Sequence, residues 1–99
     1  MATAKPSIIT FRIDDNTLPS YTSGSIFLDT VFNRAFLYQT VCPSGATILL
    51  VGRISEDYPF HELLLSEGVN SVQEVVCVPE VRIIVTNPTG LPCYAGVSI

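Results

Sequence analysis

Few side chains in this sequence could bind a metal ion or attack a substrate. The best candidate ligands for a transition metal are the single histidine, His61, and the three cysteines, Cys42, Cys77 and Cys93. The cysteines lie far apart in the sequence, whereas zinc sites are usually built from Cys-x-x-Cys pairs. Each cysteine also lies in or beside an apolar segment, where a free thiol behaves as a small apolar side chain. We therefore predict no metal site and no cofactor.

The cysteine count also bears on the cellular compartment. Three is an odd number, which argues against a disulfide framework, because cysteines in such frameworks pair. Free thiols are typical of a reducing compartment. The segment Met1–Pro6 lacks a positive region followed by an apolar core, so we expect no secretory signal.

One acidic group invites comparison with a calcium site. Asp14, Asp15 and Asn16, with Asp29 further along, could offer oxygen ligands, but the spacing of an EF-hand loop is missing. Asp and Asn side chains at the end of a strand more often bond the nearby backbone in a turn. We therefore predict a turn here rather than a calcium site.

A second acidic group could suggest catalysis. Glu56, Asp57 and Glu62 could supply the carboxylate pair of a glycosidase, but the first two lie in a predicted turn, where acidic side chains are usually solvated. His61 and Glu62 could form a base and its orienting group, but neighbouring strand residues point to opposite faces. No Gly-x-Ser-x-Gly elbow is present. We predict that the protein is not an enzyme.

The charges argue against two classes of partner. The net charge is −4 and the five basic residues are spread singly, so no basic stripe is present to neutralise nucleic-acid phosphates. No apolar run approaches the ~20 residues of a membrane-spanning helix. Only 14% of the residues are charged, against about 25% in a typical soluble domain. Low charge, with apolar residues on both faces of several strands, suggests a surface covered by another subunit.

Apolar residues alternate over short segments, which predicts β-strands separated by turns rich in Gly, Pro, Asn and Ser. We predict an all-β fold, an antiparallel β-sandwich or jelly-roll-like small barrel of about eight short strands. It forms a single domain over residues 7–99, after an extended N-terminal arm at residues 1–6. The strand order stays open between a jelly roll and an immunoglobulin-like sandwich. The predicted strands are Ser7–Ile13, Ser25–Leu28, Arg34–Val41, Thr47–Ile54, Phe60–Ser66, Ser71–Val78, Val81–Asn87 and Leu91–Ile99.

The turns predict how consecutive strands connect. Pro43–Gly45 and Asn87–Gly90 each suit a hairpin loop, so we expect the flanking strands to pair side by side. Residues 14–24 contain many turn formers and no period, which predicts a long loop. Further along, the alternation places Leu63 and Leu65 inward.

The most apolar strand has Ile48, Leu50 and Ile54 on one face and Leu49 and Val51 on the other. Such a strand favours a central position or a subunit contact. We expect the apolar set opposite the predicted core to face a neighbouring subunit; this set consists of Ile8, Leu49, Val51 and Ile84. Arginines on strands can form forked bonds to carboxylates across a sheet or a subunit boundary, so the predicted interface also includes Arg53 and Arg82.

The rhythm of strands resembles a known class of proteins. The segments that carry the likeness are Ala35–Tyr38, Ala46–Arg53, Phe60–Leu63, Val81–Asn87 and Tyr94–Val97. Over roughly residues 34–99 they resemble the small β-sandwich virion proteins of tailed bacteriophages, namely capsid decoration (cement) proteins and head or tail accessory modules. The resemblance carries over no functional residue.

The resemblance implies a non-enzymatic structural protein that is assembled in the host cytoplasm and ends in the virion. Its implied partners are further copies of itself, most often as a trimer, and the major capsid protein, whose shell it stabilises. The alternative is a carbohydrate-binding or adhesin-like β-sandwich module that uses the loops at one end. An enzyme of the cupin type is nearly excluded, because such enzymes need a cluster of histidines and the sequence has one.

Overall fold

The computed structural model describes residues 9–31 and 33–98, and within the first strand it describes the side chains of Ile13 and Asn16 only. The predicted arm at residues 1–6 and Ile8 lie outside the described residues. The described part contains nine strands: β1 (Ile9–Asn16), β2 (Ser20–Thr22), β3 (Ile26–Phe27), β4 (Ala35–Val41), β5 (Thr47–Arg53), β6 (His61–Glu67), β7 (Asn70–Val76), β8 (Glu80–Thr86) and β9 (Cys93–Ser98).

The strands form two antiparallel sheets. The first sheet has the order β1-β9-β4-β7, and the second has the order β2-β8-β5-β6, with β3 also paired to β8. β2 lies beside residues 84–86 of β8, and β3 lies beside residues 80–81. These two short strands share one position, so the sandwich has eight strand positions. The predicted all-β antiparallel fold of about eight short strands is confirmed.

The pairing is nested from the two ends of the chain towards its middle. β1 pairs with β9, β2 and β3 with β8, β4 with β7, and β5 with β6. One long hairpin rolled up into two sheets produces this order, and the contacts of β9 with β4 and of β8 with β5 complete the roll. The topology is therefore that of a jelly roll, which decides between the two arrangements that the sequence left open.

Most links carry the chain from one sheet to the other. The hairpins predicted at Pro43–Gly45 and Asn87–Gly90 are wrong, because β4 and β5 lie in different sheets and so do β8 and β9. The turns themselves form, since Gly45 and Gly90 adopt positive φ angles of 92° and 76°. A turn reverses the direction of the chain but does not determine which strands pair with each other. Here β8 and β9 belong to different sheets, and each buries its apolar face in the shared core.

The long loop predicted at residues 14–24 is also wrong. β1 continues to Asn16, whose Oδ1 accepts a hydrogen bond of 2.9 Å from the Leu18 amide, as expected for a turn at this place. β2 then pairs with β8, and Pro19 accepts a 2.9 Å bond from the Asn87 amide. A strand of three residues is too short to show alternation, which is why the sequence pattern missed it.

One hydrophobic core fills the space between the two sheets. Alternate residues of each strand point into it, and those between them form the outer faces of the sandwich. The largest fully buried apolar side chains come from both sheets, on β4, β5, β8 and β9: Tyr38, Phe36, Ile48, Leu50, Ile83, Val81, Val85 and Val97.

The pairing of β5 with β6 contains a β-bulge that shifts the alternation. Leu64 lies opposite Leu50 and Glu62 lies opposite Val51, so Leu63 is an extra residue on β6. Leu63 and Leu64 both pack against the core, whereas Leu65, predicted inward, is 41% exposed. The prediction for Leu65 is wrong because the extra residue reverses the phase of the strand.

A second prediction of side-chain direction is wrong, at the end of β5. Ile54 was expected to share the buried face of Ile48 and Leu50, but it is exposed. β5 ends at Arg53, and Ile54 begins the turn that follows. Alternation therefore stops one residue before the predicted end of the strand.

Candidate interaction surface

The predicted interface residues Leu49, Val51 and Ile84 lie on the outer face of the second sheet, but Val51 is buried there at 7% exposed and offers a partner little surface. Leu49 lies directly opposite Ile84 across the β5–β8 pair. The neighbouring residues Ile48, Leu50, Ile83 and Val85 are fully buried in the core, so this set points away from it. Ile8, the fourth predicted apolar member, lies outside the described residues.

An apolar row crosses three strands of this face. It consists of Leu65 on β6, Leu49 on β5 and Ile84 on β8, which the register places side by side. Leu49 and Ile84 are half-buried and Leu65 is exposed. Directly opposed strand residues have Cβ atoms about 5 Å apart, so the row is one continuous apolar strip across the sheet.

A charged cluster adjoins the apolar row, and we call it the guanidinium cluster; it consists of Arg53, Glu80, Ser25, Arg82 and Phe60. Arg53 lies opposite Glu80 and holds it with two hydrogen bonds, Nε to Oε1 at 2.8 Å and Nη2 to Oε2 at 3.2 Å. The Ser25 hydroxyl donates to Glu80 Oε2 and accepts from Arg82 Nε at 3.0 Å. The predicted forked bond to a carboxylate therefore forms at Arg53, while Arg82 reaches a serine.

Phe60 lies against both guanidinium groups. The ring centroid is 4.3 Å from the guanidinium carbon of Arg53 and 4.6 Å from that of Arg82. Both distances lie within the range of a cation–π contact. Phe60 contacts both guanidinium groups, while Glu80 bonds Arg53 and Ser25 bonds Arg82, so both arginine side chains are held in place. With two guanidinium groups and one carboxylate, the cluster carries one net positive charge.

The electrostatics of the cluster favour the charged forms of its members. The pKa of Glu80 is lowered, chiefly by the hydrogen bond from Arg53 and next by the one from Ser25. The pKa of Arg53 is raised, first by the same bond to Glu80. Glu80 is thereby held as an ionised acceptor rather than as a proton donor, which suits a structural role.

Of the acidic residues considered for chemistry, Asp14 and Asp15 have side chains outside the described part, and the others do not converge. Asp29 Oδ1 accepts a 2.8 Å bond from the Val31 amide in a local turn. Glu56 and Asp57 are exposed in the turn after β5, and Glu62 and His61 are exposed at the start of β6. In the part of the chain that the structure describes, no three His, Cys, Asp or Glu side chains are grouped to hold a metal ion.

Sequence reasoning missed a second apolar surface, on the outer face of the first sheet. We call it the β4–β7 patch; it consists of Leu37, Val72 and Val76, which are 50%, 61% and 65% exposed. Glu74 lies opposite Leu37 within it. The sequence pattern that could have revealed this surface is the alternation of Leu37 with the larger aromatic side chains of Phe36 and Tyr38. The sequence alone gave no reason to place those aromatics inward.

A cleft of about 290 Å³ opens beside the first residues of β6. The full lining is Gly52, Arg53, Ile54, Tyr58, Pro59, His61, Leu63 and Val78. The lining of the cleft is mainly apolar.

The described residues include no helix long and apolar enough to span a bilayer. No family model matches this chain, and the comparisons with curated proteins and with solved structures found no match either.

Proposed function

We propose that the protein is a non-enzymatic structural component of a virion, a capsid decoration or cement protein that associates with copies of itself and binds the major capsid protein. The observation that carries this proposal is a pair of apolar surfaces, one on the outer face of each sheet, that none of the described residues covers. Such surfaces on a small domain mark sites of protein contact.

The architecture supports the proposal without deciding it. Jelly rolls occur in viral capsid proteins, in lectins and in cupins, so the fold alone does not select a function. The links between the described strands have at most seven residues, as in the turn at residues 54–60. Binding and catalytic residues are usually carried on loops, so short links favour contacts made by strand faces and edges.

The apolar row is the surface that we assign to a second copy of this chain. It is bordered by the net positive charge of the guanidinium cluster, carried by Arg82 beside the Arg53–Glu80 pair, and by negative charge at Glu62 and Glu67. A surface that carries both signs can meet a copy of itself without placing like charges together. Contacts with a copy would bury the row and use the exposed charges for register.

The β4–β7 patch is the surface that we assign to the capsid protein. It lies on the opposite side of the sandwich, so both partners can bind at the same time. β7 is also the last strand of its sheet in the described part. An edge strand can accept a strand from a neighbouring chain, and such addition anchors extended arms in many assemblies.

The experiment that tests the proposal is co-sedimentation with empty shells of the major capsid protein encoded beside this chain. We expect saturable binding at a fixed ratio to capsid subunits, weakened strongly by Val76→Lys, which charges the β4–β7 patch. Genomic surroundings without a capsid gene, or binding that does not saturate, would contradict the proposal. Hits on a glycan array would favour the carbohydrate-binding alternative instead.

A further inference from the structure

Two of the three cysteines take opposed positions when the register of β4 with β9 is continued by one residue. The register of β4 with β9 runs from Leu37 opposite Ser98 to Val41 opposite Tyr94, and each step forward on β4 is one step back on β9. The next pair in this register is Cys42, which follows β4, and Cys93, which begins β9.

Both thiols also point to the same side of the sheet. Cys42 is 2% exposed and Cys93 is fully buried, and both belong to the hydrophobic core. Burial raises the pKa of the Cys93 thiol, and the neighbouring Cys42 is the second cause. Directly opposed residues of antiparallel strands have Cα atoms about 4.5 to 5.5 Å apart. Disulfides span about 4.4 to 6.8 Å between Cα atoms, so this pair needs little or no backbone movement.

The third cysteine is at the far end of the same strand. The Cys77 amide donates a 2.9 Å bond to the Arg34 carbonyl, just before β4 begins. Arg34 and Cys42 are eight residues apart, which is about 26 Å along a strand. Cys77 therefore cannot reach either core thiol in the folded chain.

We propose that Cys42 and Cys93 are a modification site that closes to a cross-strand disulfide when the protein meets a small-molecule disulfide such as oxidised glutathione. One protein thiolate attacks the small disulfide and releases one small thiol. The second protein thiolate then attacks the mixed disulfide and releases the other small thiol. Two protein thiols are oxidised by two electrons in total, and one small disulfide is reduced to two thiols.

The burial of the two thiols determines the conditions under which the disulfide forms. Thiolates react and thiols do not, and a buried thiol with a raised pKa is slow to react. The reduced pair therefore survives in a reducing compartment and forms a disulfide as the chain folds or opens under oxidising conditions. The link would tie β4 to β9, the two central strands of the first sheet. This inference rests on register and burial and does not depend on the proposed function.

The test is refolding of the reduced chain in a glutathione redox buffer, followed by acid quenching, alkylation and peptide mapping. We expect a link between Cys42 and Cys93 and an alkylated Cys77, with an intact mass 2 Da below that of the reduced chain, as two lost hydrogens require. The same buffer with denaturant is the control, and there all three pairings should appear. Circular dichroism confirms that the refolded sample has the β fold.

Two variants sharpen the result. Cys77→Ala should keep the link, and its oxidised form should melt about 10 °C or more above its reduced form. Cys93→Ala should lose both the link and this difference. Folded chain that keeps three free thiols under these conditions, or that links Cys77 as often as it does in denaturant, would overturn the proposal.

Discussion

Arg53 and Glu80 are opposed residues of β5 and β8 whose side chains form a two-point ion pair on the outer face of the second sheet. Glu80 is nearly buried there, and Ser25 also donates a hydrogen bond to it. A carboxylate with this many donors is stabilised in its ionised form. The pair therefore makes the stability of the fold depend on pH in the acid range.

The first prediction follows from the lowered pKa of Glu80. Its stabilising effect is complete above the pKa of an unfolded glutamate, about 4.3, and is lost as the pH falls through the lower folded pKa. Glu80→Gln should lower the melting temperature at pH 7 and flatten its decline below pH 5. Thermal melts from pH 3 to pH 7 measure both effects. Asp57→Asn, at an exposed position in the turn after β5 and away from the apolar row, is the control for loss of one carboxylate.

The second prediction concerns Tyr38, whose buried hydroxyl has no hydrogen-bond partner in the described part of the chain. An unsatisfied buried polar group costs about 1–3 kcal/mol, so Tyr38→Phe should leave the free energy of unfolding unchanged or raise it. Denaturant titration measures this change. Tyr58→Phe, at an exposed position, is the matched control. A loss of more than about 1 kcal/mol in Tyr38→Phe would mean that the hydroxyl has a partner.

Tyr38 also predicts how the protein responds to alkali. Burial raises its pKa well above the usual value, with a smaller contribution from Cys42. The folded chain keeps the phenol protonated, while the unfolded chain ionises near pH 10. Stability should therefore fall as the pH rises past about 10, and Tyr38→Phe should remove that part of the fall. Equal alkaline profiles for the two proteins would contradict this assignment.

The third prediction concerns Gly52 on β5. A Cβ atom added there would lie 2.7 Å from Val78 Cγ2 and 2.8 Å from Leu63 Cδ1, inside contact distance. Forcing extra volume into a packed site costs about 1–3 kcal/mol, so Gly52→Ala should lower the free energy of unfolding by that amount. Gly24→Ala is the matched control, because a Cβ atom at Gly24 meets nothing within 4 Å.

The sequence predicted strand faces well where alternation was uninterrupted. It placed Leu49 and Ile84 together opposite the core, and the register makes them direct neighbours. It failed at Leu65, because the extra residue Leu63 reversed the phase. Periodicity assigns residues to a face by assuming unbroken alternation, and it does not reveal an extra residue within the same strand.

The strand order lay beyond the reach of sequence patterns for a related reason. The turn residues Asn87–Gly90 are compatible with β8 and β9 pairing in one sheet and equally with β8 and β9 lying in different sheets. The opposition of Cys42 to Cys93 depends on strands that are 51 residues apart in sequence. Such long-range pairing depends on how whole apolar faces are buried in one core. A local sequence pattern therefore does not predict it.

The fourth prediction follows from assigning the apolar row to a second copy of the chain and the β4–β7 patch to the capsid protein. Leu49→Lys places a charge in the apolar row, and Val76→Lys places one in the β4–β7 patch. Both positions lie on outer faces, so both variants should keep the β fold by circular dichroism. We expect Leu49→Lys to weaken self-association by at least tenfold and Val76→Lys to leave it intact. The reverse result would exchange the partners of the two surfaces.

Self-association through the apolar row is tested most directly by sedimentation velocity of the intact, reduced protein at micromolar to tens of micromolar concentration. We expect a species heavier than the 10.8 kDa chain, with three times that mass for a trimer, and its dissociation in Leu49→Lys. A monodisperse 10.8 kDa monomer across the whole range, with Leu49→Lys indistinguishable from the unmodified chain, would contradict it.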